Sequence, residues 1–120
     1  MPKRILVIED EAGFREVLED VLDHAGYEVE TSPYLASAVC QATIGKYDLI
    51  TLDLRMPGVH GLDVAQIFHG QGLCAKILVI SGYLNTAVTL QLKQLGIKHF
   101  LDKPADVGQL IQAVKNALLN

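Results

Sequence analysis

The chain predicts an α/β fold: a five-stranded parallel sheet, doubly wound, with helices on both faces. Three observations carry this. Strand-like and amphipathic runs alternate five times; the strand-like runs are near-continuous apolar stretches, as strands covered on both faces require; and the connections between runs are short. Arg4–Glu9 is apolar and β-branched, and Phe14, Val17, Leu18, Val21 and Leu22 follow at helical spacing until Ala25-Gly26 supplies a stop. Tyr27–Thr31 reads as a short strand with Tyr27 and Val29 on one face. Pro33 then opens a helix that turns Leu35, Ala38, Val39 and Ala42 inward and runs to Gly45. Asp48–Asp53 is the third strand, Arg55–His60 a loop around Pro57-Gly58, and Gly61–His69 a short helix burying Leu62, Ala65 and Phe68, closed by Gly70–Gly72. Lys76–Ile80 is the fourth strand, Ser81-Gly82 a turn, and Leu84–Leu95 a helix stopped by Gly96. Lys98–Asp102 is the fifth strand. After Lys103-Pro104-Ala105, Asp106 is placed to N-cap a last helix carrying Val107, Leu110, Ile111, Val114 and Leu118 on one face.

With 120 residues, half of them hydrophobic and a fifth charged, the composition is that of one globular domain spanning 1–120. No apolar run approaches the ~20 residues that span a bilayer. Met1-Pro2-Lys3-Arg4 leads into only four apolar residues before Glu9 and Asp10, which is no signal peptide and predicts a cytoplasmic address. The net charge of −4, with no basic stripe, argues against nucleic-acid binding by this domain. Cys40 and Cys74 have no metal-type spacing and are expected to be reduced structural thiols. His24, His60, His69 and His99 are scattered over different elements without ligand spacing and are expected at the surface rather than around zinc.

Four of the apolar runs end on residues suited to phosphoryl chemistry: Glu9-Asp10, Asp53, Ser81, and Lys103-Pro104. The carboxyl ends of parallel strands lie along one sheet edge, so these residues converge there. Three carboxylates at close range disfavour joint ionisation unless a cation sits among them, which implies a divalent metal.

In order and spacing, an acidic pair after the first strand, an Asp after the third, a Ser after the fourth and Lys-Pro after the fifth resemble the receiver domain of bacterial response regulators, of the chemotaxis-regulator type, over essentially the whole chain. The resemblance implies a flavodoxin-like (βα)5 sheet in the order 2-1-3-4-5. It implies Asp53 as phosphoacceptor from a phosphohistidine on a histidine kinase or histidine phosphotransfer protein, with Mg²⁺ held by Asp10, Asp53 and the backbone carbonyl of Arg55, and by Glu9 through water. Lys103 would pair with Asp53 before transfer and with a phosphoryl oxygen afterwards, the Ser81 hydroxyl would donate to another oxygen, and a cis peptide is implied at Lys103-Pro104. Ser81 and Phe100 would form the switch, remodelling a partner face on the fourth helix, fifth strand and fifth helix. Not an enzyme with an outside substrate, the domain would still promote its own phosphorylation and dephosphorylation.

Two departures stand out. The loop after the acceptor commonly reads Met-Pro-x-x-Asp-Gly in this family, whereas this chain has Met56-Pro57-Gly58-Val59-His60-Gly61; and Phe100 occupies a position where tyrosine is frequent, so any hydroxyl contribution to the switch is absent. Each residue also has a plainer role open to it. Asp53 alone could cap a turn, Glu9 and Asp10 could favour a helix N-terminus, and Phe100 could be ordinary core. Two alternative functions remain: an Mg²⁺-dependent phosphohydrolase with an Asp nucleophile, opposed by Asp53-Leu54-Arg55 lacking a second Asp two residues on, and a receiver that binds partners without phosphorylation. No output domain follows Asn120, which leaves a stand-alone carrier or switch and the receiver of a larger regulator as equal readings.

Overall fold

The structure is a computed structural model that describes residues 2–56, 59–82, 84–103 and 105–119; side chains at 35, 36, 55, 56 and 59–61 are outside the description. Five parallel strands, β1 (Arg4–Ile8), β2 (Glu28–Ser32), β3 (Leu49–Leu52), β4 (Ile77–Ser81) and β5 (His99–Asp102), form one sheet in the order β2-β1-β3-β4-β5. The central strands β1, β3 and β4 are buried at almost every position, which is why their sequences are continuously apolar rather than alternating.

Alternate residues of those strands feed two separate cores. On one face Ile5, Val7, Leu49, Leu78 and Ile80 pack with Leu18 and Leu22 of α1 (Ala12–His24) and with Leu110, Val114 and Ala117 of α5 (Val107–Leu119). On the other, Leu6, Ile8, Ile50, Leu52, Ile77 and Val79 meet α2 (Leu35–Ile44), α3 (Gly61–Gly70) and α4 (Thr86–Gln94) through Ala38, Ala42, Val64, Ala65, Phe68 and Leu92. The doubly wound arrangement expected from the sequence is therefore present.

Helix ends follow local chemistry. Gly26 and Gly96 adopt φ +97° and +98°, and the following Tyr27 and Ile97 N–H groups each donate back to a carbonyl of the last turn, at Leu22 and Leu92. Asp106 caps α5 as expected: its Oδ1 accepts from the Gln109 N–H at 2.7 Å while the Gln109 side chain accepts from the Asp106 N–H at 2.9 Å. α4 begins two residues later than its apolar pattern implied, because the Asn85 side chain accepts from the Val88 N–H and so defines the N-cap. The segment expected as a loop at 55–60 contains a two-residue antiparallel ladder, Arg55–Met56 with Val59–His60, and a 3-10 turn at Cys74–Lys76 precedes β4.

At the amino edge of the sheet a polar cluster closes the fold. Arg4 pairs with Glu30 at 2.8 Å and lies over the Tyr47 ring, 4.9 Å from its centroid, while the Tyr47 hydroxyl donates to the other Glu30 oxygen. Burial, with Glu30 alongside, pushes the Tyr47 phenol up to about 12. Both cysteines are free; Cys74 is buried as expected, and Cys40 is at the surface rather than structural. His24 and His69 are exposed, but His99 is half-buried with Nε2 enclosed and, among the described residues, unpartnered, because its strand turns it beneath the α5 face in register with Leu78 and Thr51. The His60 side chain lies outside the described residues.

Candidate phosphoryl and metal site

The carboxyl edge of the sheet brings the predicted residues together. Strand β1 delivers Glu9 and Asp10, held by a Glu9 N–H to Ser32 carbonyl bond of 3.1 Å; Asp53 follows β3 with its N–H on the Ile8 carbonyl at 3.3 Å. Ser81 ends β4 fully buried, and its carbonyl accepts from the Lys103 N–H at 3.0 Å, so the backbones after β4 and β5 are tied at the site. Glu9 is 1% exposed and Asp53 8%.

Among the described residues, Lys103 is the cation that meets the acids. Lys103 Nζ lies 3.0 Å from Glu9 Oε1 and 3.0 Å from Asp53 Oδ2. The second contact was expected. The first was not: Glu9, read from the sequence as a support for metal through water, here pairs directly with the lysine. Burial pushes the Glu9 carboxyl up to about 7, with Asp53 adding to the rise, while hydrogen bonds from Lys103 and the Glu11 backbone oppose it. Burial pulls the Lys103 ammonium down, but hydrogen bonds to Glu9 and Asp53 outweigh it, so the net shift is upward.

Glu9, Asp10 and Asp53 each offer an oxygen within 4.8 Å of the others. An all-carboxylate set of hard oxygens fits Mg²⁺, which takes few protein carboxylates and keeps water and phosphate oxygens for its other positions. The acidic loop is braced from α1: Arg15 Nη1 donates to the carbonyls of Glu9 and Asp10 at 3.0 and 3.3 Å, and Glu11, the N-cap, accepts from Gly13 and Phe14 N–H groups. Sequence reading missed Arg15; a basic residue one turn into the helix after an acidic pair was the available signal. The backbone at Arg55 lies in the short ladder just after Asp53. Phe100 is half-buried, opposite Val79 and packed on the α2, α3 and α4 side of the sheet. Pro104, and with it the predicted cis bond, lies outside the described residues.

A five-stranded 2-1-3-4-5 sheet with this edge is the architecture of signalling receivers, and the comparisons agree: residues 5–115 match the response regulator receiver domain, and the chain belongs to that family. It is 31% identical over 115 residues to the chemotaxis protein CheY of Thermotoga maritima, covering 95% of this chain and 96% of that one. It is 30% identical over 118 residues to the C4-dicarboxylate transport transcriptional regulatory protein DctD of Pseudomonas aeruginosa; there it covers 96% of this chain but only 25% of the longer regulator. A crystal structure of a response regulator receiver protein from Pseudomonas putida superposes with TM-score 0.86 at 29% identity, over 97% of this chain and 98% of that one. No helix among the described residues is long and apolar enough to cross a membrane.

Proposed function

We propose that this chain, as a single receiver domain over residues 1–120, accepts a phosphoryl group on Asp53 from a histidine kinase or histidine phosphotransfer protein and works as a cytoplasmic signalling switch. The observation that carries the reading is the Lys103 ammonium bonded to Asp53 at the rim of a three-carboxylate cluster. An Asp53 oxygen attacks phosphorus, the phosphorus–nitrogen bond to the donor imidazole breaks with its electron pair going to that nitrogen, and the ring leaves neutral, keeping the proton already on its other nitrogen. Asp10, Asp53 and the Arg55 carbonyl would hold Mg²⁺, with Glu9 behind them, and the ion would neutralise charge on the incoming phosphoryl oxygens.

The chain's own groups do the rest by position and charge. Lys103 exchanges a carboxylate oxygen for a phosphoryl oxygen, the Ser81 hydroxyl donates to another, and no covalent help beyond Asp53 is needed. A phosphoryl group adds about −1.5 to −2 charge, enough to bias a two-state element. Ser81 drawn towards it frees space for Phe100 to turn inward, altering the face of α4, β5 and α5 for an output partner or domain. Hydrolysis of the aspartyl phosphate, promoted by the same site, resets the switch.

Incubation with acetyl phosphate and Mg²⁺ followed by intact mass measurement tests this. One added phosphoryl mass is expected, absent in Asp53→Asn and without Mg²⁺. An unchanged mass with every small donor and with a phosphorylated kinase would overturn it, and sustained turnover of a phosphate ester would favour a phosphohydrolase instead.

A further inference from the structure

The Lys103 ammonium has a third neighbour, the ring of Phe14, whose centroid lies 4.3 Å from Nζ. This contact brings together residues 89 positions apart, and neither the metal ligands nor the switch account for it. Phe14 is fixed in ways the lysine is not. It sits in the first turn of α1, its N–H is held by Glu11 at 2.9 Å, and its half-buried side chain packs on the α1 and α5 core. With Ile80, Leu101 and Leu110 it lines a cavity of about 30 Å³. Lys103 reaches the site on four rotatable bonds, and its oxygen partners are the very groups whose occupancy changes during phosphorylation.

We propose that Phe14 is a positioning residue for Lys103: its ring face holds the ammonium at the acidic edge while the lysine exchanges a carboxylate oxygen for a phosphoryl oxygen. This rests on the phosphoacceptor reading above. A neutral π face suits the task because it attracts the cation by its quadrupole, adds no charge to an acidic pocket and offers no oxygen to compete for a metal. Packing alone would be met by leucine, since the cavity beside the ring is lined mainly by aliphatic side chains. Only the side turned to Nζ calls for an aromatic.

Two variants separate the roles. Phe14→Leu keeps an apolar side chain and removes the π face, whereas Phe14→Tyr keeps both. Proton–carbon correlation NMR of the unphosphorylated protein should show an upfield ring-current shift on the Lys103 Cε protons in wild type and Phe14→Tyr, and lose it in Phe14→Leu. With acetyl phosphate and saturating Mg²⁺, the maximal rate of adduct formation should fall about three- to tenfold in Phe14→Leu and stay near wild type in Phe14→Tyr. The donor concentration giving half-maximal rate should stay within about twofold, because Phe14 touches no site oxygen. A Phe14→Leu protein phosphorylated at the wild-type maximal rate, or equal losses in both variants, overturns the proposal. Failure of the wild type to form any adduct overturns the phosphoacceptor reading, and the ring-current shift then decides Phe14 alone: its absence from the wild-type spectrum sinks the contact.

Discussion

Replacing Glu9 by its neutral isostere should make the metal-free protein more stable at pH 8. Glu9 is almost wholly buried and its carboxyl is raised from about 4.5 to about 7, so the folded state prefers the protonated form. For a raised carboxyl the stabilising contribution is complete below the unfolded value, about 4.5, and is lost as pH rises through about 7. At about 1.4 kcal/mol per pH unit of proton affinity, that interval bounds the cost of keeping Glu9 ionised at about 3 kcal/mol. Glu9→Gln removes this cost at pH 8 and has nothing to remove at pH 4, where both side chains are neutral. Any acceptor lost to the amide, such as the oxygen facing the Glu11 N–H at 3.2 Å, is lost at both pH values and cancels. Urea unfolding followed by far-ultraviolet circular dichroism, in chelator at pH 4 and pH 8, measures the two differences. The variant should gain about 2–3 kcal/mol relative to wild type on going from pH 4 to pH 8. A change below about 1 kcal/mol, or one of opposite sign, would refute the argument that burial dominates at Glu9.

Two further outcomes follow from groups away from the site. Thr51 is buried in β3 with its hydroxyl unpartnered among the described residues, so Thr51→Val should stabilise by about 1 kcal/mol in urea unfolding at neutral pH. The Tyr47 phenol, raised from 10 to about 12, contributes stability that is whole below pH 10 and is lost as pH rises through 12; in the absorbance at 295 nm Tyr47→Phe should remove a tyrosine ionisation near 12 that the wild type shows.

What the sequence disclosed depends on how far apart the interacting groups lie. The β1, β3 and β4 strands were legible because burial on both faces leaves an unbroken apolar run, and the caps at Gly26, Gly96 and Asp106 because they are written in adjacent residues. The α4 start was misplaced since Leu84 continues the apolar pattern, while the side chain that sets the boundary belongs to Asn85. A ladder two residues long has no periodicity to read, which hid the pairing of Arg55–Met56 with Val59–His60. The convergence of Glu9, Asp10, Asp53 and Lys103 was readable from topology, because parallel strands share an edge. That Lys103 would also take a Glu9 oxygen was not. That choice depends on side-chain reach across 94 residues of intervening chain, as does the approach of Phe14 to the same ammonium.

The division of the interior into two cores has a bearing on how a message leaves the site. Phe100 belongs to the side holding α2, α3 and α4, with Leu84, Val88 and Leu95 around the same core, while its neighbour Leu101 belongs to the side of α1 and α5. Between them stands the backbone of the sheet, held by its ladder of hydrogen bonds. A rearrangement at Phe100, as proposed above, would therefore reach α4 through side-chain packing and α5 through the β5 backbone on which it lies, while α1 stands across the sheet from it. Two binding partners, one reading α4 and one reading α1, could listen to the same domain and hear different things.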